Sequence, residues 1–130
     1  MVAVHTATEV LLIKRVDSAD LWQSVTGSLE WGESAENAAY RELLEETGIE
    51  TDTLRSTGIR RSYRIKEAWK PRYHPNALRN HETLFYCELA ERIDIQLNSL
   101  EHSAYEWISF TEAADKVFSW SNRLAILSLI

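Results

Sequence analysis

Residues 27–49 read GSLEWGESAENAAYRELLEETGI, and this stretch carries the strongest structural signal in the chain. Ser34 is a favourable helix N-cap, and Gly48 stands where a helix commonly ends on a left-handed residue. A helix is therefore predicted from residue 35 through Thr47, with a loop on either side.

Three glutamates of this helix share one face. Glu42, Glu45 and Glu46 occupy positions i, i+3 and i+4, where like charges destabilise a helix by roughly a few tenths of a kcal/mol per pair. A hard divalent cation offsets this repulsion because it binds several carboxylate oxygens at once. The small side chains of Ala35 and Ala38 flank the acidic face and leave room for a metal cluster. The spacing therefore indicates a metal site.

Charge is distributed unevenly along the chain. Residues 27–49 contain six acids and one base, whereas residues 55–72 contain seven bases and one acid. Either segment alone is typical of a solvated surface, but together they favour a site for a metal and a phosphorylated ligand. The net charge of −6 argues against a general nucleic-acid binder.

Length and composition point to an ordinary globular protein. A chain of 130 residues, 45% apolar and 26% charged, predicts one domain spanning residues 1–130. No apolar run approaches the length of a membrane span, so no membrane partner is expected. The lone Cys87 excludes an internal disulfide, favours a cytoplasmic location and is predicted to lie in the core.

The remaining elements mix strands and helices without a regular βαβ repeat. Helices are predicted after Thr111, as N-cap, and from Ser121 to Ile130. Strands are predicted at residues 2–4, 10–14, 22–26, 56–66, 82–89 and 104–110. This pattern predicts an α/β (α+β) fold, a mixed β-sheet covered by helices.

Residues 27–49 resemble the Nudix box, G-x5-E-x7-R-E-U-x-E-E-x-G-U with U aliphatic, at every defined position. The resemblance implies an α/β/α sandwich around a mixed sheet. It also implies hydrolysis of a nucleoside diphosphate linked to another group, with Mg²⁺ as cofactor and Mn²⁺ as a substitute. Glu33, Arg41 and Gly48 are the structural positions of the motif, with Glu33 holding Arg41.

The same resemblance implies the catalytic roles. Glu42, Glu45 and Glu46 would be metal ligands, one of them acting as base, with Glu42 and Glu46 the principal ligands. The backbone carbonyl near Gly27 would complete the coordination shell. Glu101, which precedes a predicted strand, matches the further acid that such enzymes use as ligand or general base.

Three other segments indicate which group within this family the chain resembles. They are residues 21–28 (LWQSVTGS), 72–82 (RYHPNALRNHE) and 119–123 (SWSNR). They are similar to a bacterial Nudix group that hydrolyses dihydroneopterin triphosphate in folate biosynthesis, also described as dATP pyrophosphohydrolases. In that group a basic N-terminal lead supplies a substrate-binding lysine, whereas no lysine precedes Lys14 here. The similarity implies substrate contacts at Arg15, Thr26, Tyr63, Arg64, Ile65, Lys66 and Ser119.

The aromatic and histidine side chains are predicted to have different roles: stacking on the substrate, packing in the core, or forming hydrogen bonds. Tyr63 or Trp69 is expected to stack on a flat pterin ring. Trp107 and Trp120 are predicted to be core residues. The histidines, His102 among them, are expected to form ordinary hydrogen bonds.

Three functions stay open at this point. The first is a Mg²⁺-dependent pyrophosphohydrolase that converts dihydroneopterin triphosphate to the monophosphate and pyrophosphate. The second is a (d)NTP pyrophosphohydrolase, with dATP as first candidate. The third, a Nudix-fold binding module without turnover, is disfavoured because every glutamate of the box is present. The predicted partner is a small phosphorylated molecule, a pterin or nucleoside triphosphate; the sequence makes no prediction of oligomeric state.

Overall fold

The computed structural model describes residues 1–18, 20–65, 71 and 79–130 of the chain. The predicted roles of Lys66 and Trp69 therefore lie outside the described residues. None of the helices in the described ranges is long and apolar enough to cross a membrane.

One mixed sheet forms the centre of the fold. Its neighbouring strands follow the order β3-β2-β1-β5-β4, and β6 pairs with β2. Strands β1 and β5 are parallel, whereas the other pairs are antiparallel. The strands are β1 (Val2–His5), β2 (Glu9–Arg15), β3 (Trp22–Gln23), β4 (Arg55–Arg64), β5 (Arg79–Glu88) and β6 (His102–Ser109).

Helices cover both faces of this sheet: α1 (Ala35–Thr47), α2 (Phe110–Lys116) and α3 (Trp120–Leu127). Side chains of a strand alternate between faces, so Leu11 and Ile13 of β2 pack with Leu43 of α1. Leu12 of β2 points the other way and packs with Ile126 of α3. The two apolar clusters produce the predicted α/β/α arrangement of a mixed sheet between helical layers.

The ends of α1 follow the capping signals of the sequence. The Ser34 hydroxyl accepts a hydrogen bond from the Asn37 N–H at 3.1 Å. Gly48 adopts φ of 76°, and its N–H donates to the Leu44 carbonyl. Both predicted caps are confirmed, and they fix the ends of the helix that carries the glutamates.

The later elements begin earlier than predicted. Ser109, rather than Thr111, caps α2: its hydroxyl accepts from the Glu112 N–H at 3.3 Å and donates to the Glu112 carboxylate at 3.0 Å. The first of these bonds is the usual N-cap contact, in which a serine hydroxyl accepts from the N–H three residues on. Ser119 likewise caps α3, so that helix begins at Trp120 instead of Ser121. Strand β3 is confined to Trp22–Gln23, shorter than the predicted 22–26.

Candidate active site

A cavity of about 1170 Å³ opens beside the acidic face of α1. Residues 23–29 form one wall, and the end of β2 and the start of β6 form another. Residues 1–2, 118–122 and parts of β4 and β5 also line the cavity. The pairing of Arg15 with His102 joins the end of β2 to the start of β6. Distant parts of the sequence therefore meet at one site.

Glu46 is the most deeply buried acid of this cavity, with 4% of its surface exposed. Its carboxylate accepts a hydrogen bond from the Thr26 N–H at 3.3 Å. Burial raises the pKa of Glu46 to about 9, and the charges of Glu42 and Glu101 contribute to this rise. A buried carboxylate with two acidic neighbours is suited to a divalent cation, because a cation stabilises the charged form that burial opposes.

Glu101 and His102 lie next to Glu46. A ligand atom from each of the three residues lies within 4.8 Å of the other two. His102 is 4% exposed, and both of its ring nitrogens lack a hydrogen-bond partner among the described residues. Burial also lowers the pKa of His102, which favours a neutral imidazole. The expectation of ordinary hydrogen bonding is wrong for this histidine.

Arg41 ties the loop before α1 to the helix. Its guanidinium donates two hydrogen bonds of 2.8 Å to Glu33 and one of 3.0 Å to the Ser28 carbonyl. It also donates to Glu42 at 2.8 Å and to Glu45 at 3.2 Å. The bond with Arg41 lowers the pKa of Glu33 to about 2, so this acid stays charged. The loop is thereby held against the acidic face.

Glu42 lies directly against the backbone of Gly27. A Cβ atom at position 27 would collide with the Glu42 carboxyl group. Burial raises the pKa of Glu42, while the hydrogen bond from Arg41 opposes the shift. Glycine at this position therefore leaves room for the Glu42 carboxyl group against the chain. Glu42 lines the cavity, whereas Glu45 does not: its side chain is 53% exposed beside Arg41.

Most of the residues predicted to contact substrate line the same cavity. The Arg15 guanidinium forms hydrogen bonds of 2.8 and 2.6 Å with Asp17. The Tyr63 hydroxyl accepts a hydrogen bond from Asn80 at 2.8 Å. Lys66 is the one predicted contact outside the described residues. The lining includes Arg15, Thr26, Tyr63, Arg64, Ile65 and Ser119.

Trp120 lines the cavity instead of the core, contrary to the prediction. Its side chain is 52% exposed because α3 begins at this residue and the indole projects from the first turn. Tyr63 meets it edge to face with ring centroids 6.5 Å apart, and the Arg61 guanidinium lies 6.0 Å from its ring centre. Trp107 is partly buried against the core, as predicted.

A buried amide links two of the sequence segments that form this wall. The Asn122 side chain accepts from the Ser24 N–H and donates to the Ser24 hydroxyl, both at 2.8 Å. Asn122 is 2% exposed and Ser24 is 1% exposed. Residues 21–28 and residues 119–123 are therefore adjacent in space, which sequence spacing alone does not reveal.

Comparisons with known proteins agree with this architecture. The dihydroneopterin triphosphate diphosphatase of Escherichia coli (strain K12) is 40% identical over 121 residues, which cover 90% of this chain and 79% of the relative. The Haemophilus influenzae protein of the same name is 30% identical over 132 residues, 97% of this chain and 82% of the relative. The solved structure of the E. coli dihydroneopterin triphosphate pyrophosphohydrolase matches with a TM-score of 0.88 at 37% identity, covering 98% of this chain and 91% of that one.

The family model described as NUDIX domain matches residues 1–127, nearly the whole chain. The match includes the glutamate-bearing helix, the mixed sheet and the cavity between them. The chain belongs to the Nudix family of hydrolases.

Proposed function

We propose that this protein is a Mg²⁺-dependent pyrophosphohydrolase that converts dihydroneopterin triphosphate to dihydroneopterin monophosphate and pyrophosphate, a step of folate biosynthesis. The observation that carries the proposal is the cavity in which the buried Glu46 and its neighbour Glu101 face basic and aromatic side chains. The substrate is proposed from relatives of that name at 40% and 30% identity. We propose further that residues 1–130 act as one domain in the cytoplasm.

The metal site is assigned to the acids of the cavity. Glu46 and Glu101 are the proposed ligands with Glu42, and the carbonyl near Gly27 supplies a further oxygen. The raised pKa of Glu46 supports this assignment, because a buried Glu46 carboxylate is unfavourable in its charged form unless a cation lies beside it. A bound Mg²⁺, or Mn²⁺ in its place, supplies polarisation of the phosphoryl oxygens and activation of the attacking water. Glu45 acts as a positioning residue in this proposal, through its contact with Arg41.

The basic residues of the cavity are proposed to bind the triphosphate. Arg15 has five N–H donors, and its two hydrogen bonds to Asp17 leave donors for phosphate oxygens. Arg64 lines the same cavity from the end of β4. Arg15→Ala is expected to raise KM more than it lowers kcat, because the guanidinium contributes mainly to substrate capture.

An aromatic surface is proposed to bind the ring of the substrate. Trp120 and Phe118 both line the cavity and are 52% and 38% exposed. A flat pterin or purine ring can stack on such an indole, and Tyr63 supports the indole from its edge. Trp120→Ala should raise KM. Trp120→Phe should raise KM less, because phenylalanine keeps an aromatic face for the ring of the substrate.

The second candidate function is hydrolysis of nucleoside triphosphates such as dATP. It uses the same proposed metal and phosphate contacts and differs only in the ring that occupies the aromatic end of the cavity. A binding module without turnover is a weaker alternative, because Glu42, Glu45 and Glu46 are all present.

A turnover assay distinguishes these functions. Dihydroneopterin triphosphate, dATP and the other nucleotides are compared with Mg²⁺ present and absent, and pyrophosphate and orthophosphate are measured separately. We expect the highest kcat/KM for the pterin, with pyrophosphate released and a loss of at least about a hundredfold in Glu46→Gln. Similar rates on several nucleotides would support the second function. Absence of metal-dependent hydrolysis of every substrate would refute the enzymatic proposal.

A further inference from the structure

His102 is buried beside the proposed metal ligands without forming a side-chain hydrogen bond of its own to the described residues. It is 4% exposed, and neither ring nitrogen has a partner among them. Buried polar groups of folded proteins nearly always have a partner, so each exception requires an explanation. A ligand bound beside His102 would give one of its ring nitrogens the partner that the described residues do not supply.

The position of His102 indicates which partner this is. A ring nitrogen of His102 and carboxylate oxygens of Glu46 and Glu101 lie within 4.8 Å of one another. Two ligands that bind one cation at about 2.1 Å stand at most roughly 4.2 Å apart. Small side-chain rotations would therefore bring all three atoms onto a single ion.

We propose that His102 is a nitrogen ligand of the divalent cation, together with Glu46 and Glu101, and that it raises the affinity of the site for Mn²⁺ more than its affinity for Mg²⁺. Imidazole is a good ligand for transition metals, whereas Mg²⁺ prefers oxygen ligands and retains its water. The inference rests on the metal role proposed above for the two glutamates. It adds a ligand that lies outside the motif of residues 27–49.

Pulsed electron paramagnetic resonance of the full chain with one equivalent of Mn²⁺ tests this inference without substrate. A directly bound imidazole produces nitrogen modulation of the echo. The wild type should show this modulation, and labelling its histidines with ¹⁵N should change it. His102→Gln should abolish the modulation and raise the Mn²⁺ dissociation constant at least about tenfold, with a smaller change for Mg²⁺.

His5→Gln is the matched control. His5 is also buried, at 8% exposed, and its Nε2 atom also lacks a partner among the described residues. It contacts Tyr86 and Phe110 edge to face and does not line the cavity. This variant should therefore retain both the nitrogen modulation and the wild-type Mn²⁺ affinity.

Two results would overturn the inference: a wild-type Mn²⁺ spectrum without nitrogen modulation, or modulation that persists in His102→Gln. The ¹⁵N measurement on the wild type decides the first point even where the variant fails to fold. If Mn²⁺ binds without a nitrogen ligand and Glu46-dependent turnover persists, the inference fails and the proposed function stands. If the wild type binds no Mn²⁺, the proposed metal site fails as well.

Discussion

Glu46→Gln is expected to stabilise the metal-free protein at neutral pH. Burial raises the pKa of Glu46 from 4.5 to about 9 in the folded state. Below the ordinary value both the folded and the unfolded chain carry the proton. Above it the unfolded chain ionises while the folded chain keeps the proton, so stability falls as the pH rises from about 4.5 to about 9.

The magnitude follows from linkage. Each pH unit in this window lowers the free energy of unfolding by about 1.4 kcal/mol. Between about pH 5 and about pH 7.5 the wild type should therefore lose about 3 kcal/mol of unfolding free energy through Glu46. The amide of the Glu46→Gln variant cannot ionise, and its carbonyl can still accept the Thr26 N–H, so the variant avoids this loss. The difference in pH dependence between the two proteins isolates the Glu46 contribution, because their other groups titrate alike.

Urea unfolding in the presence of EDTA at the two pH values measures this difference. Glu45→Gln is the control, since the Glu45 side chain is 53% exposed and its removal should leave the pH dependence of the wild type. Excess Mn²⁺ or Mg²⁺ should offset most of this loss in the wild type, because a ligand at a hundred times its Kd stabilises the native state by about 2.7 kcal/mol. Equal pH dependence of wild type and Glu46→Gln would refute the argument that Glu46 is protonated in the metal-free protein.

Three further substitutions test the cavity wall, the proposed metal site and the end of α1. Asn122→Ala should lower the free energy of unfolding by about 2–4 kcal/mol in urea, because it leaves the buried N–H and hydroxyl of Ser24 unpaired; a loss below about 0.5 kcal/mol would contradict this. Gly27→Ala should displace the Glu42 carboxylate and weaken Mg²⁺ binding, measured by calorimetry, at least about tenfold. Unchanged Mg²⁺ affinity would remove Glu42 from the proposed ligands. Gly48→Ala should cost about 1–2 kcal/mol in thermal or urea unfolding, because φ is 76° there, and its metal affinity should match the wild type.

Local signals predicted the helix of the site accurately. Ser34 and Gly48 determine its ends through hydrogen bonds to residues no more than about one turn away, and such contacts are visible in sequence spacing. The N-cap at Ser109 was equally local, yet the strand was predicted to continue to residue 110 because the residues before it alternate like a strand. Two local signals competed there, and the capping hydrogen bonds determined the boundary.

The surroundings of the glutamates depended on contacts between distant segments. Trp120 is as apolar as a core residue, and only the start of α3 beside β4 determines that its indole faces the cavity. His102 carries no motif of its own. Its burial next to Glu46 follows from the pairing of β6 with β2, which brings residue 102 opposite Arg15.

The sequence by itself determined the glutamate-bearing helix, its caps and the mixed α/β class. These features depend on periodicity and on hydrogen bonds within a few residues, which the order of amino acids specifies directly. Only the tertiary structure decided which carboxylates lie together, that an imidazole without a partner among the described residues joins them, and that Asn122 binds Ser24 across 98 residues. Burial and the resulting pKa shifts are properties of the packed surroundings, which form only when the sheet pairs distant segments of the chain.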